Sequence, residues 1–226
     1  MSGLEWDTIA LLTGTAFLAG FIDSIAGGGG LLTVPALLIA GVDPVTAVAT
    51  NKVQGTLSIV SALVTYGRKG LIEWRASIPM GLVALVFGGC GALLIQFFSK
   101  EVIAALIPIL LISVALYFGL MRGVGDADRK ARVTLPVFLS LIIPPLALYD
   151  GFLGPGAGSF YAAVLIGLLG LGITRMTAMA KVLNGGSNLG SLIVYSIAGA
   201  VHWPLGLAMG LASITGAQIG SHLAVR

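Results

Sequence analysis

The sequence predicts an all-α membrane protein, a polytopic helical bundle built from two inverted-topology repeats. Three observations lead to this fold class. Hydrophobic residues make up 57% of the 226 residues and charged residues only 9%, whereas a soluble domain carries about a quarter charged residues. Apolar segments long enough to form membrane helices recur along the chain. The second half of the sequence also repeats the pattern of the first half.

The apolar segments predict about nine helices, two of them short. A membrane-spanning helix needs about 20 mainly apolar residues, whereas the strands of a membrane barrel would be shorter and would alternate in hydropathy. A glycine-rich stretch precedes each of the two short segments, 31–40 and 160–171. The long segments cover residues 8–26, 45–66, 78–98, 102–121, 133–149, 174–198 and 204–225.

The internal repeat is visible at a shift of 129 residues, which places residues 27–91 on residues 156–220 without a gap. The matched lysines and tryptophans weigh most, because the chain contains few lysines and only three tryptophans. Repeats with interrupted helices at matching places are typical of transporters. The identical pairs include Gly29/Gly158, Lys52/Lys181, Ser58/Ser187, Tyr66/Tyr195, Trp74/Trp203 and Gly91/Gly220.

The repeat divides the chain into three parts. A first transmembrane repeat covers residues 1–121, a linker covers 122–132, and a second transmembrane repeat covers 133–226. The second repeat has no counterpart of the segment 102–121. We therefore expect a final helix to be missing from the second repeat.

The distribution of lysine and arginine predicts the orientation. Basic residues concentrate in the loop 67–75 and in the linker 122–132, and cytoplasmic loops carry an excess of Lys and Arg. The repeat equivalent of the first loop, residues 198–204, contains neither Lys nor Arg. This contrast favours inverted repeats, with both basic loops in the cytoplasm and the N-terminus outside.

Each half contains a glycine-rich break that begins at an aspartate, residues 23–30 and residues 150–159. Unwound backbone at membrane depth is tolerated only where it is buried in protein or lines a wet cavity. A helix that restarts after such a break presents unpaired N–H groups, which suit an anion. Close helix packing through small residues is the alternative interpretation. We assign four glycines of the breaks to a candidate substrate site: Gly28, Gly29, Gly156 and Gly158.

Lys52 and Lys181 lie at matched positions early in two long helices. A charge inside the bilayer is costly and is therefore a candidate functional group. Both lysines could bind an anionic substrate, or each could form a structural ion pair with Asp23 or Asp150. The two aspartates are also the candidates for proton coupling. The sequence leaves these alternatives open.

Polar side chains surround the two lysines. Amides and hydroxyls donate hydrogen bonds to an anion without the desolvation cost of a full charge, although polar contacts between helices are the alternative. We assign Asn51 and Gln54 of the first half, and Asn184, Ser187 and Asn188 of the second, to the candidate site. Thr50, Thr56 and Ser58 belong to the same cluster.

Several other classes of function lack support in the sequence. No cluster of His, Cys or carboxylate residues has the spacing of a metal site. The run of four glycines is not followed by the Gly-Lys-Ser/Thr of a nucleotide-binding loop. The net charge of +3 comes from scattered residues, which argues against nucleic-acid binding. We therefore expect no cofactor and no enzymatic activity, and a lipid bilayer and a small anionic substrate as partners.

The same motifs resemble those of the sulfite exporter TauE/SafE family. The resemblance is carried by residues 20–35 (GFIDSIAGGGGLLTVP), 49–54 (ATNKVQ), 149–161 (YDGFLGPGAGSFY) and 180–184 (AKVLN), with Ser187 and Asn188. It implies a permease of the bacterial inner-membrane type for small sulfur-containing anions such as sulfite or organosulfonates, working by alternating access. The alternatives are an anion channel, or a carrier of another small solute or of a cation that uses Asp23 and Asp150.

Overall fold

The computed structural model describes residues 6–120 and 128–224. These residues form nine helices and no strand, so the predicted all-α membrane fold is confirmed. The last turn of the fourth helix is a 3-10 turn, and the sixth helix contains a π turn. The helices are α1 (Trp6–Ala26), α2 (Gly30–Ile39), α3 (Pro44–Arg68), α4 (Trp74–Phe97), α5 (Lys100–Leu120), α6 (Leu135–Phe152), α7 (Ala157–Leu169), α8 (Ile173–Ile197) and α9 (Trp203–Ala224).

Several helices begin before the apolar segments that predicted them. Helix α4 begins at Trp74 and α7 at Ala157, because a first turn tolerates the polar and small residues at which an apolar pattern ends. Helix α3 begins where Asp43 caps it: Oδ1 accepts the N–H groups of Val45 and Thr46 at 3.2 and 3.4 Å. Part of the predicted linker, residues 121–127, lies outside the described residues.

The helices differ in how well they could cross a bilayer alone. Within the described ranges, α1, α4 and α6 are long and apolar enough to span a membrane. Helices α2 and α7 are apolar but only 10 and 13 residues long. Helices α3 and α8 have 25 residues each, and both carry a buried lysine. The lysine-bearing helices therefore need neighbouring protein to shield the charged face from lipid.

The two halves are interlocked rather than side by side. Helix α9 of the second half packs against α1 and α3 of the first, and α4 of the first half packs against α6 and α8 of the second. Helices α3 and α8 pack against each other between these groups. Because α4 and α9 are equivalent in the repeat, each half completes the core of the other.

The equivalent helices α3 and α8 run in opposite directions where they cross. Where α3 crosses α8, Gly55 lies against Asn188, and Ile59 lies against Gly185. Residue numbers therefore rise along one helix as they fall along the other, so the two helices are antiparallel. An antiparallel arrangement of equivalent helices is the inverted topology of many transporters.

A repeated tyrosine makes the same contact in each half. The Tyr66 hydroxyl donates to the carbonyl oxygen of Ser24 at 2.8 Å, and the Tyr195 hydroxyl donates to the carbonyl oxygen of Gly151 at 2.9 Å. Both tyrosines are buried, and each ties the long third helix of its half to the helix that precedes the glycine break. These bonds place the two breaks beside α3 and α8.

Candidate functional site

The two glycine breaks meet in the centre of the molecule. Gly27 lies so close to the other break that a Cβ atom on it would come 2.7 Å from the carbonyl carbon of Gly158. The Ser159 hydroxyl donates to the carbonyl oxygen of Ala26 at 3.3 Å. The unwound backbone of each half is therefore buried against the other half, where membrane proteins tolerate it.

The breaks are shorter than the sequence motifs suggested. Helix α1 continues to Ala26 and α6 to Phe152, so Asp23 and Asp150 lie in the last turns of these helices rather than in unwound backbone. A carboxylate in a last turn can accept the N–H groups of the residues that follow it. Asp23 does so: its Oδ1 accepts the N–H of Gly29 at 3.1 Å.

Lys52 forms a tight ion pair with the aspartate of the other half. Its Nζ lies 2.7 Å from Oδ1 of Asp150 and 2.5 Å from the carbonyl oxygen of the same residue. The second carboxylate oxygen of Asp150 accepts the Ser187 hydroxyl. Both charged side chains are 1% exposed. Asp150 therefore has each carboxylate oxygen occupied.

Lys181 pairs with Asp23 in the equivalent way but more loosely. Its ammonium donates to the carbonyl oxygen of Asp23 and lies 3.5 Å from Oδ2 of the carboxylate. Each lysine is thus paired with an aspartate of the opposite half. Of the alternatives that the sequence left open, these contacts show the ion pairs, and the charges of the four residues cancel.

A small cavity lies between α3, α8 and the two breaks. Its open core measures about 30 Å³, whereas one water needs about 10–15 Å³. Lys181 and Ser187 do not line it: they lie behind Asp23 and Asp150. Most of the predicted site residues do line it: Asp23, Gly28, Gly29, Asn51, Lys52, Gln54, Asp150, Gly156, Gly158, Asn184 and Asn188.

The sequence interpretation missed part of the cavity wall. Gly30, Gly55, Gly154, Ile59 and Ala157 also line the cavity, as does Ser58 of the predicted polar cluster. Gly30 and Gly154 belong to the breaks, so the glycine pattern could have included them. Ile59 gives no polar signal, and only the crossing of α3 with α8 brings it to the cavity.

Two asparagine side chains turn their amide nitrogens toward the glycine breaks. Asn51 Oδ1 accepts the Thr33 hydroxyl at 2.5 Å, and Asn184 Oδ1 accepts Nδ2 of Asn188 at 2.7 Å. Because the Oδ1 atom of each asparagine is fixed on one side of the amide, the NH2 group of that amide points to the opposite side. A Cβ atom on Gly30 would lie 3.3 Å from Asn51 Nδ2, and one on Gly158 would lie 3.0 Å from Asn184 Nδ2.

These two NH2 groups are available to a ligand. In the part of the chain that the structure describes, neither Nδ2 has an acceptor within hydrogen-bonding distance. The other two amides of the site are engaged: Gln54 Nε2 donates to the Ser213 hydroxyl at 2.6 Å, and Asn188 donates to Asn184. The cavity therefore offers hydrogen-bond donors beside charges that are already paired.

Nothing in the described segments favours a metal. No group of three or more His, Cys, Asp or Glu residues capable of holding a metal ion occurs among residues 6–120 and 128–224. The two aspartates that line the cavity are paired with lysines. Both carboxylates are therefore engaged within the protein.

Residues 12–226 match the family described as Sulfite exporter TauE/SafE. The chain belongs to the sulfite exporter TauE/SafE family. The resemblance seen in the glycine and lysine motifs is thereby confirmed, and it covers nearly the whole chain. TauE/SafE membership makes the protein a multi-pass membrane transporter rather than an enzyme, with the bilayer and a small solute as its partners.

Similar proteins support this membership. A probable membrane transporter protein, ORF9, of a Sinorhizobium species is 45% identical over 225 residues, which covers 100% of this chain and 86% of the relative. The probable membrane transporter protein YfcA of Escherichia coli K12 is 42% identical over 218 residues, 95% of this chain and 80% of the relative. A probable membrane transporter protein of Haemophilus influenzae is 39% identical over 218 residues, 96% and 85%. No solved structure matches the chain.

Proposed function

We propose that the protein is a secondary transporter that carries small sulfur-containing anions, such as sulfite or organosulfonates, across the inner membrane by alternating access. The observation that carries the proposal is the pair of asparagine NH2 groups that face the cavity without a protein acceptor. An oxyanion offers several acceptor oxygens and no donor, so it complements them. The family description and the resemblance support the sulfur chemistry of the anion.

The charges around the cavity support an anion over a cation. Hard cations such as Ca²⁺ take about six to eight oxygen ligands, and a cation bound here would have to compete for the carboxylates of Asp23 and Asp150. These already bind Lys181 and Lys52. An anion meets no net negative charge in this arrangement, because each carboxylate is neutralised by a lysine. The lysines then act by neutralising the two carboxylates, and Lys52 also lines the cavity.

Alternating access is supported by the position of the cavity. The cavity lies where α3 crosses its equivalent α8 and where the two breaks meet. In inverted-repeat transporters the substrate site lies at the repeat interface, and one repeat rocks against the other around it. The glycines of the breaks allow the close backbone contacts that such a movement would change.

The surface contacts support a common side for the two basic loops. Arg175 at the start of α8 lies 2.7 Å from Glu73 of the loop before α4 and also binds Asp128. The loop that follows α3 and the described end of the linker therefore lie on one face. We propose that this face is cytoplasmic, because the positive-inside rule applies to both.

The proposal is tested by uptake into liposomes that contain the purified protein. Sulfite, sulfate, thiosulfate and ethanesulfonate are offered in turn, with protein-free liposomes as the control. We expect saturable uptake of sulfite or of the sulfonate. Uptake that rises linearly with concentration would favour a channel, and uptake of sodium or potassium would favour a cation carrier. No uptake of any of the sulfur anions would overturn the assignment.

A further inference from the structure

Ser58 carries a buried hydroxyl with no partner at the edge of the cavity. The residue is 1% exposed, it lines the cavity, and its Oγ has no hydrogen-bond partner among the described residues. A buried hydroxyl in a helix normally binds a carbonyl oxygen of the preceding turn, and leaving it unpaired is unfavourable. Such a group needs an explanation.

The repeat equivalent of Ser58 shows what the hydroxyl does when it is paired. Ser187 lies at the same place in α8, six residues after the lysine of its helix, as Ser58 lies six residues after Lys52. The Ser187 hydroxyl donates to the carboxylate of Asp150. It does not line the cavity, whereas Ser58 does. Equivalent serines therefore have different roles in the two halves.

The aspartate of the first half has different partners. Asp23 uses Oδ1 to accept the N–H of Gly29, and its Oδ2 lies near Lys181. The Ser58 hydroxyl is not among its partners. Ser187 orients Asp150 in the second half, whereas its equivalent in the first half, Ser58, is left available to a ligand.

The location of Ser58 separates it from the other unpartnered hydroxyls. In the described ranges, four buried side-chain oxygens have no partner, those of Thr56, Ser58, Ser77 and Tyr161. Of these four residues, Ser58 is the one that lines the cavity.

We propose that the Ser58 hydroxyl donates a hydrogen bond to an oxygen atom of the transported anion, as a third donor beside the amides of Asn51 and Asn184. The proposal rests on the proposed function and adds a specific residue to its site. It also makes the site asymmetric: Ser58 binds the anion, and Ser187 positions Asp150. A solute with fewer acceptor oxygens than the three donors would then bind more weakly.

The test compares Ser58→Ala with the wild type in sulfite uptake by liposomes. A hydrogen bond to a charged group contributes roughly one to two decades of affinity. We therefore expect the half-saturating sulfite concentration to rise about tenfold or more, while the maximal rate changes much less. Ser58→Cys keeps nearly the same volume but donates weakly, so it should resemble Ser58→Ala if the hydrogen bond matters, and the wild type if packing matters.

Ser191→Ala is the matched control. Ser191 is a buried serine that lies one helical turn after Ser187 in α8. Its hydroxyl donates to a carbonyl oxygen within the helix, and its repeat equivalent is Ala62. We expect its half-saturating concentration to equal that of the wild type. Thermal unfolding in detergent shows which variants keep their fold, and Ser58→Cys replaces Ser58→Ala if the alanine variant does not.

The outcomes distinguish this inference from the proposed function. Saturable sulfite uptake by the wild type with an unchanged half-saturating concentration in both Ser58 variants would overturn the role of Ser58 and leave the function standing. Equal weakening in Ser58→Ala and Ser191→Ala would also overturn it. No uptake or binding of any sulfur anion by the wild type would overturn both.

Discussion

The two aspartate–lysine pairs occupy equivalent positions in the two halves, but they differ in strength. Lys52 lies 2.7 Å from Asp150, whose other oxygen takes a hydroxyl, and both side chains are sealed from solvent. Lys181 lies 3.5 Å from Asp23, whose other oxygen takes a backbone N–H. Both aspartates line the cavity, but Asp23 is 8% exposed and Asp150 only 1%.

The breaks also differ in length and in their contacts. Three residues separate α1 from α2, and four separate α6 from α7. In the shorter break the N–H of Gly29 donates to the carboxylate of Asp23. At the longer break the carboxylate of Asp150 accepts from Lys52 and Ser187 instead. A repeated sequence therefore places equivalent residues together without giving them the same hydrogen bonds. The Ser58 hydroxyl of the first half is left without a partner among the described residues, whereas the Ser187 hydroxyl of the second half binds Asp150.

The largest effect is expected when the tighter ion pair, between Lys52 and Asp150, is broken. Removing one partner of a buried ion pair typically costs about 3–5 kcal/mol, because the other charge stays buried and unpaired. We expect Lys52→Ala to lose this much stability, since it leaves Asp150 without its counter-charge. Lys181→Ala should lose clearly less, because Asp23 keeps the Gly29 N–H and is more exposed than Asp150. Thermal unfolding of the purified protein in detergent measures both.

Lys69→Ala is the control for the two lysine variants, because Lys69 is exposed at the end of α3. It should unfold at the same temperature as the wild type. Equal losses in Lys52→Ala and Lys181→Ala, or a larger loss in the latter, would contradict the proposed ranking of the two pairs.

A second comparison concerns the open amides, of which each half supplies one. In Asn51→Asp and Asn184→Asp the oxygen that accepts from Thr33 or Asn188 is kept, while the NH2 donor is replaced by negative charge. We expect sulfite uptake to fall at least about tenfold in each variant, because a lost charge-assisted bond and added repulsion act together. Uptake per amount of monodisperse protein in the liposomes is the measurement.

If the two halves contribute equally to the anion, the two asparagine variants lose uptake to a similar extent. A large loss in one variant and none in the other would place the anion against one half alone. Undiminished uptake in both would show that the amides do not bind it.

The equivalent glycines Gly27 and Gly156 give a smaller and sharper comparison. Both have a left-handed backbone, with φ of 83° and 81°, so alanine costs about 1–2 kcal/mol at either position. A Cβ atom on Gly27 would press on the backbone of Gly158, whereas one on Gly156 would press on the Val114 side chain of α5. We expect Gly27→Ala to lower the melting temperature more than Gly156→Ala, because backbone cannot move aside as a side chain can.

A second substitution separates the two causes. Val114→Ala should recover part of the stability lost in Gly156→Ala and none of that lost in Gly27→Ala. Equal recovery in both variants would mean that the loss does not arise from these contacts.

The smallest effect is expected for the surface contacts at the N-terminal ends of α3 and α8. In the first half Asp43 caps α3 and binds Lys100, and in the second Asp128 binds the N–H of Gly172 and the side chain of Arg175. The Gly172 N–H, followed by Arg175, holds the pKa of Asp128 below its ordinary value. A lowered carboxyl pKa stabilises the fold above the ordinary value of about 3.9, and this contribution is lost as the pH falls through the lowered pKa.

Asp128→Asn should therefore lower the melting temperature slightly at pH 7, and the difference from the wild type should shrink as the pH falls below about 4. Melting curves at pH 7 and at pH 3 in the same detergent provide the test. A difference that grows with acid would contradict the stated contacts of Asp128.

Hydropathy and the repeat determined most of the fold. The apolar segments, the two short helices and the equivalence of Lys52 with Lys181 depend on residue type and spacing, which a single sequence shows directly. The glycine breaks and the charge contrast between the loops favoured inversion, and the antiparallel crossing of α3 and α8 agrees with it. Most residues assigned to the site line the cavity for the same reason: polar side chains are rare in these helices and must be buried together.

Only the tertiary structure decided which lysine pairs with which aspartate. Lys52 and Asp150 are 98 residues apart, and Lys181 and Asp23 are 158 apart, so their pairing depends on how α3, α8 and the two breaks cross. The same crossing leaves Lys181 and Ser187 behind the cavity and brings Ile59 to its wall. The directions of the Asn51 and Asn184 amides and the free hydroxyl of Ser58 follow from hydrogen bonds that residue type cannot specify. The sequence by itself determined which polar and glycine residues lie at matching places in the two halves, and packing in three dimensions determined which of them meet and which remain available to the solute.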